Sequence, residues 1–518
     1  MPSPLVATPK EIAAEVADGA TVAIVGAGGG LLEPDAILAA IEARFLATGH
    51  PRDLTVLHAQ GIGDRDARGL NRLAHAGLVK RVIGSHWVWS PRMQALATSG
   101  QIEAYAVPGG VLSLLLRETG AGRPGLWTRV GLGTFVDPRH GGGALNARAT
   151  TPLCELRTAE GEDWLFFPRL PVDVAILRGT VSDAKGNITF DREPAELDSY
   201  ALALAAHNCG GRVLAQVQEL SPAPILPARR VRLPAALVNR VLVVPDQPQT
   251  HARVYDPRCS GEAIDREAVE AAAPDLARAI AARRALAELP EGATACFGFG
   301  IPDAVAAEIS RRGEADRYRM IIDHGVHGGR LLSGALFGVA SGPEAIISAT
   351  DQADFIHGGA IDVAFLGFGE IDAAGNVNAS ALGGNPVGPG AFMDIAQSCR
   401  KLVLCGTFEA SGLKCRVEAG QLVIDQPGRF GKFVGEVAQV TWPGWWPEAT
   451  GQEVVVVTER ASFALRGGRL VLRDIAPGIE LQRDILSRMG FAPEVPQRPG
   501  LYPARMLATE VPLAAPPA

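Results

Sequence analysis

The stretch Met320-Ile321-Ile322-Asp323-His324-Gly325-Val326-His327-Gly328-Gly329 indicates how the chain around it folds. Three apolar residues lead into a carboxylate and glycines follow at once, which is typical of a short buried strand that ends in a tight loop. Asp323 then stands at the carboxyl-terminal tip of the strand, where open α/β sheets bind their ligands. Such an aspartate either takes part in chemistry or caps the next turn, and these residues alone leave both interpretations open.

The same pattern of strand, glycine loop and helix occurs near the start of the chain. Thr21–Val25 runs into the glycine-rich residues Gly26–Gly30, and a helical pattern follows over residues 34–45. Strands that alternate with helices in this way predict an α/β fold with mainly parallel sheets. The dinucleotide fingerprint Gly-x-Gly-x-x-Gly fails, because its last position falls on Leu31 or Glu33. A nicotinamide or flavin site is therefore not predicted.

Two halves of the chain resemble each other. Asp173–Leu177 is followed, ten positions after Asp173, by the turn pattern Asp-x-x-Gly-Asn in Asp183–Ile188. Asp362–Leu366 is followed at the same spacing by the same pattern in Asp372–Val377. This repeat predicts two similar α/β domains in tandem. We place them at residues 1–245 and 291–518, with a linker and a helix at 246–290 and the candidate carboxylate in the second domain.

Composition excludes several classes of protein. The chain has 518 residues, 47% of them hydrophobic and 20% charged, with a net charge of −7, which is ordinary for a soluble globular protein and argues against a nucleic-acid partner. Its seven cysteines include no Cys-x-x-Cys pair, so neither a zinc knuckle nor a disulfide framework is predicted. No signal peptide or membrane-spanning run is visible. We therefore expect a cytoplasmic protein without a membrane partner.

Short motifs spread over nearly the whole chain carry a family resemblance. They are Gly131–Arg139, Arg178–Thr180, Asp183–Thr189, Ile361–Gly367, Asp372–Asn378, Cys405–Phe408, Thr458–Ala461 and Ile475–Gly478. With them the sequence resembles the family I CoA-transferases, above all the fused propionate CoA-transferase type. The resemblance implies tandem related α/β domains, a homo-oligomer, and transfer of CoA between a short-chain acyl-CoA and a carboxylate. Coenzyme A is then a substrate, and neither a metal nor a permanently bound cofactor is needed.

The resemblance also implies a mechanism. A glutamate attacks the thioester to give an acyl-glutamyl anhydride, CoA then forms a thioester with the glutamate, and an incoming carboxylate collects the CoA. The Glu-x-Gly motif of the family falls on Asp323-His324-Gly325. Aspartate keeps the charge but is shorter by about 1.5 Å, and a misplacement of about 1 Å can cost on the order of a hundredfold in rate.

This departure leaves three interpretations. In the first, Asp323 is the nucleophile of a CoA-transferase. In the second, His324, His327 or Glu370 activates water, and the protein hydrolyses CoA esters or cleaves a C–C bond in a CoA-linked dicarbonyl. In the third, the protein binds CoA esters without turning them over. No metal site is predicted, because the two histidines lie in a glycine-rich turn and lack helical spacing.

Glycine-rich loops of the second half are the predicted CoA contacts. The stretch Gly383–Gly390 precedes a helical pattern, so its backbone N–H groups suit an oxyanion or a phosphate. Gly367-Phe368-Gly369, at a predicted strand tip, is a second candidate. The predicted cofactor-binding residues are Gly367, Gly369, Gly383, Gly384, Asn385, Gly388 and Gly390. Candidate partners for the CoA phosphates are Lys414, Arg429 and Lys432.

Overall fold

A computed structural model of the protein describes residues 5–264 and 275–508. The chain forms two α/β domains in tandem, each built around a large, mainly parallel sheet, which confirms the predicted fold class. The helix predicted between the halves is described only as Leu276–Leu286, because its first part falls on residues 265–274. Nowhere in the described ranges is a helix both long and apolar enough to cross a bilayer.

Seven parallel strands form the centre of the N-terminal sheet. Their spatial order is Glu103–Ala106, Val79–Gly84, Leu54–His58, Thr21–Ile24, Val174–Ser182, Arg212–Leu220 and Arg240–Val243. The short strands Ile188–Thr189 and Val231–Leu233 add antiparallel pairs, and Gly125–Thr128, Glu155–Ala159 and Glu162–Pro168 form a separate sheet. The helices are Pro9–Ala14, Asp35–Thr48, Pro91–Thr98, Gly109–Gly120 and Ser199–Asn208.

The C-terminal sheet has five parallel strands at its centre. Their order is Arg319–Ile321, Thr294–Phe297, Val363–Leu366, Lys401–Cys405 and Glu453–Val457. Val326–His327 and Ala345–Ile346 extend one edge, and Ala461–Arg466, Arg469–Ile475 and Gly500–Leu501 extend the other. Two-stranded ladders pair Arg330–Leu331 with Ala340–Ser341, Glu370–Ile371 with Val377–Asn378, Ala381–Leu382 with Asn385–Pro386, Glu409–Ala410 with Phe430–Gly431, and Lys414–Glu418 with Gln421–Gln426. The remaining helices are Ile301–Arg311, Ala349–His357, Phe392–Ala396 and Trp446–Thr450.

The strands near the C-terminus form the antiparallel set that the sequence predicts over residues 454–458, 462–465 and 469–472. Glu453–Val457 pairs antiparallel with Ala461–Arg466, which pairs antiparallel with Arg469–Ile475. The other edge of Glu453–Val457 pairs in parallel with Lys401–Cys405. The set therefore continues the main sheet, in which Val454–Val457 are buried as in a central strand.

Equivalent contacts confirm the predicted repeat. The carboxylate of Asp173 accepts a hydrogen bond from the N–H of Thr21 at 2.8 Å, and that of Asp362 accepts one from Thr294 at 2.9 Å. Each aspartate thereby fixes the start of its strand against the first strand of the same domain. In both Asp-x-x-Gly-Asn turns the aspartate also accepts a hydrogen bond from the side-chain amide of the asparagine. The two halves thus repeat both strand order and turn chemistry.

The two domains pack against each other through both apolar and polar contacts, and one core cluster contains buried residues of both. Arg117 on the N-terminal helix Gly109–Gly120 forms an ion pair with Asp354. The N–H of Gly131 donates to the side-chain oxygen of Gln397 at 2.6 Å. These contacts bring the loops at the ends of both sheets to a common seam.

Candidate active site

A cavity of about 440 Å³ lies at this seam and is lined by loops of both domains. The loops follow the carboxyl ends of parallel strands, the usual place for ligands in α/β sheets. The wall from the N-terminal domain includes Gly28, Gln60, Gly61, Arg65, His86 and Trp89. The wall from the C-terminal domain includes Phe299, Asp323, His324, Phe337, Gly367, Phe368, Gly369, Gly388 and Gly390.

Asp323 lies in the cavity wall, two residues beyond the strand Arg319–Ile321. A tight turn follows, in which the N–H of Gly325 donates to Ile322. Gly325 has a φ of +113°, and a Cβ there would collide with the carbonyl oxygen of Ile347, so the turn requires glycine. The Asp323 side chain is 17% exposed. None of the described residues donates a hydrogen bond to its carboxylate, which leaves its lone pairs available to a ligand.

His324 is buried directly behind this carboxylate. Its Nε2 lies 2.7 Å from the carbonyl oxygen of Gly338. Because a carbonyl oxygen only accepts, Nε2 carries a hydrogen. Nδ1 lies 3.6 Å from Oδ1 of Asp323, too far for a hydrogen bond but near enough for charge interaction. The ring thus turns Nδ1 towards the Asp323 carboxylate.

Two other predicted catalytic residues lie outside the cavity lining. Nε2 of His327 is 2.7 Å from the side-chain oxygen of Gln352, and its ring packs edge-on against Phe355. Oε2 of Glu370 accepts hydrogen bonds from Asn378 at 2.7 Å and from the N–H of Ala438 at 2.9 Å. Both side chains therefore hold neighbouring loops together. A catalytic role for either remains a prediction.

The predicted CoA-binding glycines fall into two groups. Gly367, Gly369, Gly388 and Gly390 line the cavity. Gly383, Gly384 and Asn385 lie in the exposed turn of a hairpin outside the lining.

The loop around Gly388 and Gly390 joins the two domains. The N–H of Gly388 donates to Ser380 and that of Gly390 to Ser85, both at 2.9 Å. The N–H of Trp87 in turn donates to Val387 at 2.8 Å. A Cβ on Gly388 would collide with the carbonyl oxygen of Ser85. We infer that these glycines permit close approach of the domains, since their N–H groups are already engaged.

The three basic residues proposed for the CoA phosphates do not line the cavity. Lys414 and Arg429 are exposed. Nζ of Lys432 donates to the carbonyl oxygen of Phe368 at 3.0 Å and lies 4.7 Å from the centre of its ring. Burial lowers the pKa of Lys432 to about 8. Lys432 thus supports the cavity wall from behind Phe368.

Sequence reasoning missed much of the wall that the N-terminal domain supplies. Arg65, Trp89 and Gln60 lie in loops that carry no recognisable motif. The usable signal in the sequence is a polar residue after an apolar run, as in Leu54–His58 and Val82–His86, and it predicts His58 and His86 as possible pocket residues. His86 lines the cavity, and burial, together with the charges of His58 and Arg65, lowers the pKa of His86 to about 4. His86 is therefore neutral at physiological pH.

His58, in contrast, is a buried structural histidine. Its Nδ1 lies 2.7 Å from the carbonyl oxygen of Gln60, so Nδ1 carries the hydrogen. Its Nε2 has no partner in the described part of the chain and adjoins a small apolar cavity lined by leucines, among them Leu112 and Leu115. Burial lowers the pKa of His58 to about 4. Protonation of this ring is therefore coupled to unfolding.

We predict that His58 destabilises the protein as the medium becomes acidic. The unfolded chain binds the proton near its ordinary pKa of about 6.5 and the folded chain only near 4, so stability is lost as pH falls through this window. In His58→Phe, the loss of unfolding free energy between pH 7 and pH 5 should be smaller than in wild type by about 2 kcal/mol. Urea denaturation at both pH values measures it. His140→Gln, at an exposed histidine, is the control, and equal pH dependence in His58→Phe and wild type would contradict the assignment.

The chain is similar to known proteins both in sequence and in structure. A family model described as Coenzyme A transferase matches residues 6–243. The acetate CoA-transferase YdiF of Escherichia coli K12 is 38% identical over 481 residues, which cover 93% of this chain and 91% of YdiF. The caffeate CoA-transferase of Acetobacterium woodii is 40% identical over 497 residues, 94% of each chain. A crystal structure of YdiF from E. coli O157:H7 as a thioester complex with CoA is similar at a TM-score of 0.92, with 36% identity and 98% of both chains covered.

Proposed function

Because this chain belongs to the coenzyme A transferase family, we propose that Asp323 is the nucleophile with which it moves CoA from an acyl-CoA to a carboxylate. The observation that carries the proposal is the Asp323 carboxylate itself. It lines the cavity at the seam and accepts no hydrogen bond from the described residues. Glu370, the other candidate carboxylate, is engaged by two donors outside the cavity lining. A carboxylate that accepts no hydrogen bond is the better nucleophile.

The reaction proceeds in two matched halves. A carboxylate oxygen of Asp323 attacks the thioester carbonyl, the C–S bond breaks, and an acyl-aspartyl anhydride and CoA thiolate form. The thiolate attacks the aspartyl carbonyl, which releases the first acyl group as a carboxylate and leaves an aspartyl-CoA thioester. The incoming carboxylate reverses these steps with its own acyl group and regenerates Asp323. No net proton is consumed, and no metal or bound cofactor takes part. The CoA thioester in the related YdiF structure supports this sequence.

The cavity wall suits intermediates that water would destroy. Phe299, Phe337 and Phe368 add apolar surface to the cavity that Asp323 lines. An apolar wall excludes water from an anhydride and from a thioester, both of which hydrolyse.

As substrates we propose small carboxylic acids and their CoA esters, with acetate as the first acceptor because one relative is an acetate CoA-transferase. We further propose a homo-oligomer, on the resemblance alone, which the molar mass in solution tests.

One observation favours hydrolysis of CoA esters as a second candidate function. Nδ1 of His324 lies 3.6 Å from Oδ1 of Asp323 while Nε2 holds the hydrogen. A water between Nδ1 and an aspartyl-CoA thioester would meet a general base. Hydrolysis would then compete with the incoming carboxylate at the same intermediate.

A paired assay separates the two functions. Purified protein is incubated with propionyl-CoA, with or without acetate, while chromatography follows the CoA esters and a thiol reagent follows free CoA. We expect acetyl-CoA to appear only with acetate and without net release of thiol. Equal release of free CoA in both arms would establish hydrolysis instead. The assay is repeated with acetyl-CoA and butyryl-CoA as donors and with caffeate as a further acceptor. If no combination gave turnover, the proposal would be overturned, and binding of CoA esters without turnover would be the remaining interpretation.

A further inference from the structure

Arg65 lies in the cavity wall in an unusual backbone conformation. Its φ is +68°, a left-handed conformation that costs an ordinary residue about 1 kcal/mol or more. Its N–H donates to the carbonyl oxygen of Trp89 at 2.9 Å, which fixes the loop against the next strand tip. A glycine would meet this backbone requirement without strain. An arginine that keeps this strained backbone conformation indicates that its side chain has a functional role.

Aromatic rings from both domains hold the guanidinium group. It lies 4.3 Å from the centre of the Trp89 ring and 5.7 Å from that of Phe299, within the range of cation–π attraction. The indole is itself fixed, because it occupies the space that a Cβ on Gly28 would take. Within the described ranges no carboxylate pairs with Arg65, whereas nearby Arg72 is bound by Asp35 and Glu42. The positive charge of Arg65 is therefore available to a ligand.

An aromatic wall leads from Arg65 towards Asp323. Phe299 packs edge-on against Phe337, with ring centres 5.2 Å apart. The residue after Phe337 is Gly338, whose carbonyl oxygen holds the ring of His324 behind Asp323. One cavity thus contains a nucleophilic carboxylate, an apolar wall and an unpaired cation. Arg65 is exposed where it lines this cavity, so its guanidinium group is accessible to the far end of an acyl group attached to Asp323.

The size of the cavity indicates which part of the substrate meets Arg65. A volume of about 440 Å³ is at the lower end of ligand pockets, so we expect the cavity to take an acyl group with the thiol end of CoA and not the whole of CoA. The CoA phosphates are separated from the sulfur by the whole pantetheine arm. An anionic group that reaches Arg65 within this cavity is therefore better placed on the acyl chain than on CoA.

From this arrangement we propose that Arg65 is a specificity-determining residue, which binds a second anionic group at the far end of the acyl chain. The inference rests on the proposed function, since it identifies the substrate class of the same site. A guanidinium group forms paired, charge-assisted hydrogen bonds with a carboxylate. The enzyme therefore favours dicarboxylic acids over monocarboxylic acids of equal length.

The test compares succinate and butyrate, which have the same carbon number, as acceptors with acetyl-CoA as donor. In wild type, kcat/KM should be higher for succinate. In Arg65→Gln and Arg65→Gly, kcat/KM for succinate should fall about 10- to 100-fold, mainly through KM, while butyrate changes by no more than about twofold. Arg65→Gly also relieves the backbone strain, so its melting temperature should not fall. Arg92→Gln, which removes an exposed charge that pairs only loosely with Asp66, is the control for long-range electrostatics.

The remaining results would overturn the inference. Equal losses of kcat/KM for succinate and butyrate would show that Arg65 contributes to transfer in general and not to the choice of acceptor. If the Arg65 variants had a higher KM for acetyl-CoA with either acceptor, but an unchanged KM for dephospho-acetyl-CoA, the partner of Arg65 would be a CoA phosphate. No change with either acceptor would leave Arg65 without a role in binding. Titration of succinyl-CoA and of butyryl-CoA into wild type and into Arg65→Gln gives a second readout. Succinyl-CoA should bind more weakly to Arg65→Gln than to wild type, and butyryl-CoA should bind equally to both. Because binding needs no turnover, failure of the transferase proposal remains distinguishable from failure of this one.

Discussion

Replacement of Asp323 by asparagine is expected to lower the rate of CoA transfer about 10⁴-fold or more, the scale seen when a catalytic nucleophile is removed. The amide is nearly isosteric with the carboxylate but cannot form the anhydride or the thioester. Because no described residue donates to the Asp323 carboxylate, the exchange breaks no hydrogen bond. The fold should therefore be retained, and the melting temperature checks this.

Mass spectrometry of the intact protein gives a direct readout. After incubation with acetyl-CoA, wild type should gain the mass of one CoA less one water, which corresponds to the aspartyl thioester. Asp323→Asn should gain nothing. A peptide map should place the adduct of the wild type on Asp323.

Two further variants separate the nucleophile from its surroundings. Asp323→Glu keeps a carboxylate, so it should retain measurable CoA transfer and form the CoA adduct. Its rate of transfer, compared with that of wild type, measures the effect of lengthening the side chain by one methylene. Glu370→Gln retains an oxygen for Asn378 and Ala438 and should reduce transfer by no more than about tenfold. Adduct formation by Asp323→Asn, or loss of the adduct only in Glu370→Gln, would show that the nucleophile has been misassigned.

Gly388→Ala is expected to reduce transfer about 100-fold, because a shift of about 1 Å at the site has that effect. A Cβ on Gly388 would collide with the carbonyl oxygen of Ser85 in the other domain. The loop would have to move, and the hydrogen bonds that join residues 387–390 to the N-terminal domain would weaken. Steady-state kinetics with the acetate assay measures the effect on transfer.

Gly384→Ala is a matched control for this variant. Gly384 and Gly388 both have a φ of +77°, so alanine strains the backbone equally at either position. A Cβ on Gly384 meets no atom within 4 Å. Gly384→Ala should thus leave transfer within about twofold of wild type. Equal losses in the two variants would assign the effect to backbone strain, and a fully active Gly388→Ala would remove the proposed role of the domain contact.

Features encoded by local patterns were predictable from the sequence. The strand that leads to Asp323, the glycines of its turn and the two Asp-x-x-Gly-Asn turns all depend on residues close in sequence. For Gly325, both a positive φ and close contact with the backbone of Ile347 require glycine. The identical spacing in the two halves then predicted the tandem domains, because a repeated pattern of turns implies a repeated order of strands.

Features that depend on how the domains meet were not predictable. Glu370 resembles a catalytic acid in sequence, but its donor Ala438 lies 68 positions away. The conformation of Arg65 depends on Trp89 and Gly28, and its second aromatic neighbour belongs to the other domain. No local pattern encodes such contacts. The sequence therefore predicted Asp323 as a residue of the candidate site but did not predict the part of the cavity wall that the N-terminal domain supplies.

The tandem repeat has a consequence for how this enzyme acquires new substrates. In the aligned sheets, Leu57 is paired as Ile321 is, so Ala59 occupies the position in the first copy that Asp323 occupies in the second. Under the proposed function, the second copy supplies the reacting carboxylate, and Arg65 of the first copy contributes to the choice of substrate. A substitution in the first copy that leaves its contacts with residues 387–390 intact can then change the choice of substrate while Asp323 stays in place. Substrate choice and reacting group would then lie on separate copies of the repeat.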